Sequence, residues 1–597
     1  MIDYIHTMSL TNALETYTPT NTGEKGHLQY DWSNNLDEKI VQFHFQLVRT
    51  TNHSKLEEQL RIILSTLKAS TEKSQYLSKL TLVYKLIGHT RDILKGKGEQ
   101  QLSFMQILIW YEYFPELAFN AFTHLVKIDN AHPYGSWKDV KYFCNFVKEK
   151  CQCMPKHALT HPLVIHAIKL LVSQLNTDWE AYSSLNDKSN TNDKPVSLAA
   201  RWTPREPNWR KKKNVKFGWI YKTMAMEMFP EFLRFAPHNK KAMLKCKIHL
   251  SRRISTLNKL LDTTQIKQCG KKWQYIDFNN VTTQTLRRQK TAFQNKTKRN
   301  LQHSEEEDRI ACANNYKNHI NAAKQNPETS KVHGKRCSVY ELVKDALVIT
   351  HKSPETQTDI DTINLQWQDN LKNNKGLTQT PIIPLIDVSA SMEIDNCSPL
   401  YNAIGLGIRA SELTHPAFRN QVLTFEDQPR WVNMDDCHSF WDKVHRIKGS
   451  GWGGSTRIYR AFRMILDVCV EKKIPSKEVE KMIVGIFSDM QIDSNCINDC
   501  PFNKVMSDNI TAMFNSAGYN TPHLLFWNLR ATKGFPTLLK HKNITALSGF
   551  SSVLLNVFCN RGIDALRSFT PSTMLEDMLN QDRYAIMEED VVSFMNQ

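Results

Sequence analysis

The segment P-I-I-P-L-I-D-V-S-A-S-M, residues 381–392, joins an apolar run to a short polar stretch and decides the fold of the C-terminal half. Residues 381–386 have the length and apolar content of a buried strand. Asp387, Ser389 and Ser391 follow at alternate positions, so a loop leaving the strand can turn their three oxygen-bearing side chains toward one point. The alternative interpretation is a polar turn before a helix, where Asp and Ser act as caps.

Two later segments add further oxygen atoms. Residues 449–456, G-S-G-W-G-G-S-T, form a glycine-rich stretch that permits a tight loop and ends in a threonine. Residues 481–487 resemble a second buried strand, which Ser488 and Asp489 follow directly. Ligands of a parallel sheet collect outside the carboxyl ends of its strands. Carboxylate and hydroxyl oxygens favour Mg²⁺ or Mn²⁺ over zinc. The predicted ligands of one such cation are Asp387, Ser389, Ser391, Thr456 and Asp489.

The rest of this half alternates between strand and helix patterns. Further strands are expected at residues 422–425, 523–527 and 544–548, and helices at residues 399–413, 456–470, 503–516 and 552–559. Such alternation predicts parallel βαβ units and a doubly wound α/β sheet.

The N-terminal half has a helical pattern instead. Apolar residues recur at three- and four-residue spacing, which predicts helices at residues 55–67, 76–87, 102–113, 116–126, 137–148 and 164–175. Helices of this length with short connections are typical of an α-solenoid. We therefore expect a helical domain at residues 1–375, with insertions near 183–215 and 300–336, and an α/β domain at 376–597. The second insertion reads as either a charged helix or a partly disordered segment.

Positive charge is concentrated in the middle of the chain. The protein has 597 residues and a formal net charge of +17. Residues 201–300 contain 25 Lys or Arg and 5 Asp or Glu, whereas residues 381–597 contain 21 and 24. Such asymmetry favours an acidic partner, most often a nucleic acid. The alternative is a solvated basic surface that only aids solubility.

The densest mixture of basic and aromatic residues surrounds Trp202 and Trp209. Lys and Arg neutralise phosphates, and Trp stacks on unpaired bases. The candidate RNA contacts are Arg201, Trp202, Arg205, Arg210, Lys211, Lys212, Lys213, Lys216, Arg252 and Arg253. Both tryptophans could equally be core residues, and the lysine run could be a nuclear-import signal.

Several function classes lack their sequence signals. The chain has no phosphate-binding G-x-x-x-x-G-K-S/T loop and no G-x-S-x-G nucleophile elbow. It also has no uncharged apolar run of membrane-spanning length and no secretory signal, and its thirteen Cys form no disulfide framework. We expect a non-enzymatic, monomeric, cytoplasmic protein without a membrane contact; a nuclear or virion location stays open.

The D-x-S-x-S segment, Thr456 and Asp489 together resemble the metal-ion-dependent adhesion site of the von Willebrand factor A domain. Three helical-half segments, R-D-I-L-K-G-K-G-E at 91–99, G-S-W-K-D-V at 135–140 and A-A-R-W-T-P-R at 199–205, resemble the TROVE module of the Ro ribonucleoprotein. The match is to an uncharacterised branch of plants, fungi and giant DNA viruses, which shares F-W-N-L-R at 526–530 and S-G-F-S at 548–551.

This resemblance implies a HEAT-like helical array that binds structured or misfolded small RNA. It also implies that an acidic side chain of a protein partner completes the coordination of the metal. The predicted function is therefore a Ro-like RNA-binding protein with an adhesion site. The alternatives are an adaptor that acts through the A-type domain without RNA, and a metal-dependent hydrolase.

Overall fold

The computed structural model describes residues 18–597 apart from 71–72, 153, 185–195, 209, 235–238, 298, 327–329, 355, 375–380, 426, 453, 455, 493–504 and 559–567. The chain is mixed α/β, with a helical array in its N-terminal half and a mixed sheet in its C-terminal half. No helix within these described residues is both long enough and apolar enough to cross a bilayer.

A short hairpin, β1 (Thr20–Thr22) and β2 (Leu28–Tyr30), precedes the helices of the N-terminal half. These helices are α1 Leu36–Gln46, α2 Ser54–Ala69, α3 Lys73–Arg91, α4 Gln100–Tyr113, α5 Pro115–Val126, α6 Lys138–Lys150, α7 Pro155–Ala158, α8 Pro162–Ser183, α9 Ala199–Trp202, α10 Val215–Gly218, α11 Tyr221–Met228, α12 Lys240–Leu261, α13 Thr264–Cys269, α14 Thr283–Phe293, α15 Glu307–Gln325, α16 Val339–Val348 and α17 Gln357–Leu371.

The sheet consists of β3 Ile382–Asp387, β4 Gln421–Phe425, β5 Arg430–Asn433, β6 Ile483–Ser488, β7 His523–Asn528 and β8 Ile544–Ser548, with helices α18 Ile394–Leu413, α19 Phe440–Gly449, α20 Ile458–Glu471, α21 Ser476–Val479, α22 Met506–Ser516, α23 Pro571–Leu579 and α24 Ala585–Met595. The strand order is β5-β4-β3-β6-β7-β8, and every pair is parallel except β4 with β5.

Both faces of the sheet are covered. Strand residues that point to opposite faces of the sheet belong to two different apolar cores. Ile382 and Ile386 of β3 belong to a core that also contains the helical array, while Ile383 and Leu385 pack with α20 and α22. At the chain's end, α23 and α24 return to pack on α3 and α5 of the helical half. A third, smaller core lies between α14, α15 and α17.

All six helices predicted in the N-terminal half are confirmed, and so are the five predicted strands. The charged insertion contains the helix α15, whose buried face carries Cys312, Tyr316 and Ile320. One prediction was wrong: Ser552–Phe558 is a 3₁₀-helix. Its short apolar run contains two β-branched valines, which favour an α-helix only weakly. The nine cysteines in the described part of the chain are all free thiols.

Candidate functional site

The oxygen cluster begins where β3 ends. Asp387 Oδ1 accepts a hydrogen bond from Ser389 N at 3.0 Å, which turns the loop back over the strand end. Ser389 Oγ and Ser391 Oγ then lie 3.1 Å apart. The alternate spacing in the sequence thus brings the two hydroxyls together beside the carboxylate, as expected.

The neighbouring strand β6 contributes the second carboxylate. Ser488 Oγ donates to Asp387 Oδ2 at 2.5 Å, and Asp489 follows it directly. This site lies at a topological switch point, because the chain leaves β3 toward β4 on one side and returns to β6 on the other. In open α/β sheets a ligand crevice forms at that point.

The glycine-rich loop comes beside the serine loop. Ala390 N donates to Gly454 O at 3.5 Å, which brings the stretch that ends in Thr456 toward the cluster. Asp387, Ser389, Thr456 and Asp489 are fully buried, and Ser391 is half-buried. The structure therefore brings Asp387, Ser389, Ser391 and Asp489 together at one edge of the sheet, with the loop that ends in Thr456 beside them.

Two buried carboxylates, Asp387 and Asp489, lie close enough to repel each other. Burial, and then the charge of Asp489, raise the pKa of Asp387 above its ordinary value. Arg530 Nη1 donates to Asp489 Oδ2 at 2.9 Å, and Lys25 Nζ donates to Thr456 Oγ1 at 2.8 Å. Sequence reasoning missed both cations, although Arg530 ends one of the segments with a family resemblance.

The donor set fits a hard cation. It offers carboxylate and hydroxyl oxygens, and the ammonium group on Thr456 is a positive charge already attracted to it. No group of three or more His, Cys, Asp or Glu that could hold a metal occurs within the described residues. That finding does not conflict with the predicted ligand set, because three of its five residues are Ser or Thr rather than His, Cys, Asp or Glu.

A second candidate site surrounds Trp202, at the end of α9. Three cations lie within 6 Å of its ring centroid: Lys141 at 5.0 Å, Arg201 at 5.3 Å and Lys138 at 5.9 Å. Lys141 also lies 5.5 Å from the Phe217 ring. We call Lys138, Lys141, Arg201, Trp202, Arg205 and Phe217 the basic–aromatic surface.

The positive charges of this surface repel one another. Among the described residues, no ion pair involves Lys138, Lys141, Arg201 or Arg205. Burial, together with Lys138 and Arg205, lowers the pKa of Lys141 to about 8. A cavity of about 320 Å³ adjoins Trp202 and Trp137. Sequence reasoning missed Lys138, Lys141 and Phe217. The three-residue spacing of the two lysines after G-S-W does indicate that both lie on one face of a helix.

The other predicted RNA contacts are spread more widely. Arg210, Lys211, Lys212 and Lys213 are exposed in a turn that precedes α10, and Lys216 lies 5.5 Å from the Phe217 ring. On α12, Arg252 is exposed, whereas Arg253 packs over Trp179 and Phe229 at 5.0 and 4.9 Å. Trp209 lies outside the described residues. Trp202 itself is half-buried.

Comparison with known proteins gives two matches. The family model described as a domain of unknown function, DUF7788, matches residues 382–593, which is the stretch that forms the sheet and the oxygen cluster. An uncharacterized protein, L728, of Acanthamoeba polyphaga mimivirus is 26% identical over 505 residues, covering 83% of this chain and 79% of its own length. The second match shows that the similarity extends across both halves.

Proposed function

We propose that this protein binds RNA through the basic–aromatic surface and holds a divalent cation at the oxygen cluster. The observation that carries the RNA proposal is the set of three cations around the Trp202 ring. A half-buried aromatic ring supplies a platform for an unpaired base, and the cations supply partners for the flanking phosphates.

The surface has the charge balance that phosphate binding requires. Burial, and then the charges of Lys138 and Arg205, lower the pKa of Lys141 because they oppose its protonation. A phosphate group would reverse this effect, since an adjacent negative charge favours the ammonium form. The cavity beside Trp202, at about 320 Å³, lies at the lower end of the usual range of ligand-pocket volumes. A single base turned out of its stack is a suitable occupant.

The finer fold assignment belongs to the same proposal. We infer that the C-terminal half is a von Willebrand factor A-type domain and that the helical half is a HEAT-like array of the TROVE kind. Support comes from the position of Asp387 and Asp489 at the ends of adjacent parallel strands, and from the covering of both sheet faces.

The RNA proposal is tested by fluorescence anisotropy with a labelled single-stranded RNA. Trp202→Ala should weaken binding by about 1–3 kcal/mol, the usual contribution of one stacked base. Trp202→Phe should retain most of the affinity because it keeps an aromatic face. Equal binding by wild type and Trp202→Ala would refute the proposed surface, and Trp431→Ala, at an exposed tryptophan of β5, is the matched control.

The adhesion function is favoured by the buried pair of carboxylates. We propose Mg²⁺ or Mn²⁺ coordination by Asp387, Asp489 and the three hydroxyls, with one position completed by an acidic group of a protein partner. Asp387→Ala should abolish Mn²⁺ uptake, measured by the electron paramagnetic resonance of free Mn²⁺, and leave RNA affinity unchanged. If RNA affinity fell equally, the two sites would not be independent.

Two alternatives would leave different signatures. An adaptor without an RNA role would bind Mn²⁺ but ignore RNA in the anisotropy experiment. A metal-dependent hydrolase would show turnover that disappears in Asp387→Ala.

A further inference from the structure

The β1–β2 hairpin lies across the oxygen cluster. Its base is held by backbone contacts: Tyr30 N donates to Phe535 O at 3.1 Å, and Phe535 N donates to Tyr30 O at 2.9 Å. Farther along, His27 Nδ1 lies 2.9 Å from Ile492 O. The turn of the hairpin carries Glu24 and Lys25 and is directed at the carboxyl ends of the strands.

The turn places one charge of each sign at the cluster. Lys25 Nζ donates to Thr456 Oγ1 at 2.8 Å, where a cation ligand was predicted. Glu24 Oε2 accepts from Arg530 Nη2 at 2.6 Å, while Arg530 Nη1 donates to Asp489 Oδ2 at 2.9 Å. One guanidinium thus bridges a fully buried carboxylate of the cluster and a carboxylate at the surface.

Arg530 also borders open space. A cleft of about 460 Å³ runs between the sheet and the helical array, with Arg530 and Phe550 on the sheet side and Arg49 on the helical side. The side chain of Glu24 is 41% exposed, and its main-chain N–H donates to Gln491 Oε1 at 2.8 Å. A carboxylate at the position of Glu24 could therefore come from another chain that lies in this cleft.

We propose that Arg530 binds the acidic group of a protein partner. In the absence of partner and metal, Glu24 occupies the position of that acidic group and Lys25 occupies the position of the cation. This inference rests on the proposed metal site and adds the residue that recognises the partner. A divalent cation and the Lys25 ammonium compete for Thr456 Oγ1, because two positive charges repel each other at one hydroxyl. Cation binding releases Lys25, and a partner carboxylate then replaces Glu24 on Arg530.

The competition is measured by Mn²⁺ titration of the full chain. Lys25→Met should bind Mn²⁺ about tenfold more tightly than wild type, which corresponds to the loss of one charge-assisted hydrogen bond. Lys25→Arg should resemble wild type. The matched control is Lys477→Met, since Lys477 is exposed near the opposite ends of the strands.

The outcomes separate this inference from the metal proposal. Unchanged or weaker Mn²⁺ binding by Lys25→Met, with normal binding by wild type, overturns the competition and leaves the metal site intact. Absence of Mn²⁺ uptake by both proteins overturns the metal site and the inference together.

Hydrogen exchange distinguishes release of the turn from loss of the hairpin. Adding Mg²⁺ to wild type should speed exchange of Glu24 N–H, which is bonded to Gln491. Exchange of Phe535 N–H should stay slow because it holds the base of the hairpin. Equal acceleration at both positions would mean that the hairpin unfolds, and no acceleration would mean that the turn is not displaced; either result overturns the proposal.

Receptor function is tested with a fluorescein-labelled hexaglutamate peptide in the presence of Mg²⁺. Glu24→Gln should bind the peptide more tightly than wild type, because the competing carboxylate is removed. Arg530→Met should lose peptide binding and should bind Mn²⁺ at least as tightly as wild type, because a positive charge beside Asp489 is removed. Arg530→Lys should recover part of the peptide affinity. Equal peptide binding by Arg530→Met and wild type would overturn the assignment of Arg530.

Discussion

Arg91 and Asp139 form a buried, two-armed ion pair, with Arg91 Nη2 2.8 Å from Asp139 Oδ2 and Arg91 Nε 3.1 Å from the same oxygen. The pair joins two of the segments with a family resemblance, R-D-I-L-K-G-K-G-E and G-S-W-K-D-V. The next residue, Asp92, is bonded to Arg583 near the chain's end at 2.9 Å. The pair therefore holds the helical array together, and the first segment also ties it to the C-terminal residues.

Asp139→Asn should destabilise the protein by about 3–5 kcal/mol, because it leaves the Arg91 guanidinium buried beside a neutral group. The measurement is the midpoint of urea unfolding followed by circular dichroism. The control is Asp129→Asn, which neutralises an exposed aspartate that is paired with Lys127. An Asp139→Asn protein as stable as wild type would show that this pair contributes nothing net.

The strand and helix pattern could be read from the sequence wherever an element buries a continuous apolar face. All residues of β3, β6, β7 and β8 are buried, and those strands were predicted. The strand β5 was missed because R-W-V-N is an edge strand with only Val432 buried. The hairpin strands β1 and β2 were missed because three polar or half-buried residues give no period.

The candidate sites likewise contain residues that could be predicted from the sequence and residues that could not. The position of Asp387, Ser389, Ser391 and Asp489 at one edge of the sheet could be predicted because the ends of parallel strands meet there. Lys25 and Arg530 could not be predicted, since they reach the cluster across 431 and 41 positions of sequence. Lys138 was likewise missed, because only the packing of α6 against α9 and α10 brings it to Trp202.

Acid should destabilise the protein through His523. Burial lowers the pKa of this β7 histidine from 6.5 to about 4. Between these values the unfolded chain binds more protons than the native chain, so stability is present above pH 6.5 and is lost as the pH falls toward 4. The contribution is at most about 3 kcal/mol.

The measurement is urea stability at pH 7 and pH 4.5 for wild type and His523→Gln. The variant should lose less stability on acidification, even if it is less stable at pH 7 because the contact with Thr545 Oγ1 at 2.8 Å is altered. An identical acid-induced loss in both proteins would contradict the prediction.

The salt dependence of RNA binding should report the number of phosphates held by the basic–aromatic surface. Lys138→Gln/Lys141→Gln should reduce the slope of log K against log salt by about 1.4, or about 0.7 for each phosphate contact on a single strand. The matched control, Lys477→Gln/Lys542→Gln, removes two exposed lysines of the C-terminal half. A slope equal to that of wild type would place the phosphates elsewhere.

Because of charge repulsion at the oxygen cluster, Asp387→Asn should raise the unfolding temperature in the absence of magnesium but remove the stabilisation that magnesium provides. Asp387→Asn removes one of two neighbouring buried carboxylates. In the presence of chelator the variant should therefore unfold at a higher temperature than wild type. Magnesium should stabilise wild type by about 2.7 kcal/mol at one hundred times its dissociation constant, because the ion binds only the native state.

The same variant should show no such magnesium effect, since it lacks a ligand charge. Differential scanning calorimetry with chelator or with Mg²⁺ measures both effects on the same samples. Asp395→Asn, at an exposed aspartate that follows the serine loop, should keep the magnesium effect. If Asp387→Asn were stabilised by Mg²⁺ as much as wild type, the ion would bind outside the cluster, and the buried carboxylates would need Lys25 and Arg530 as their permanent partners.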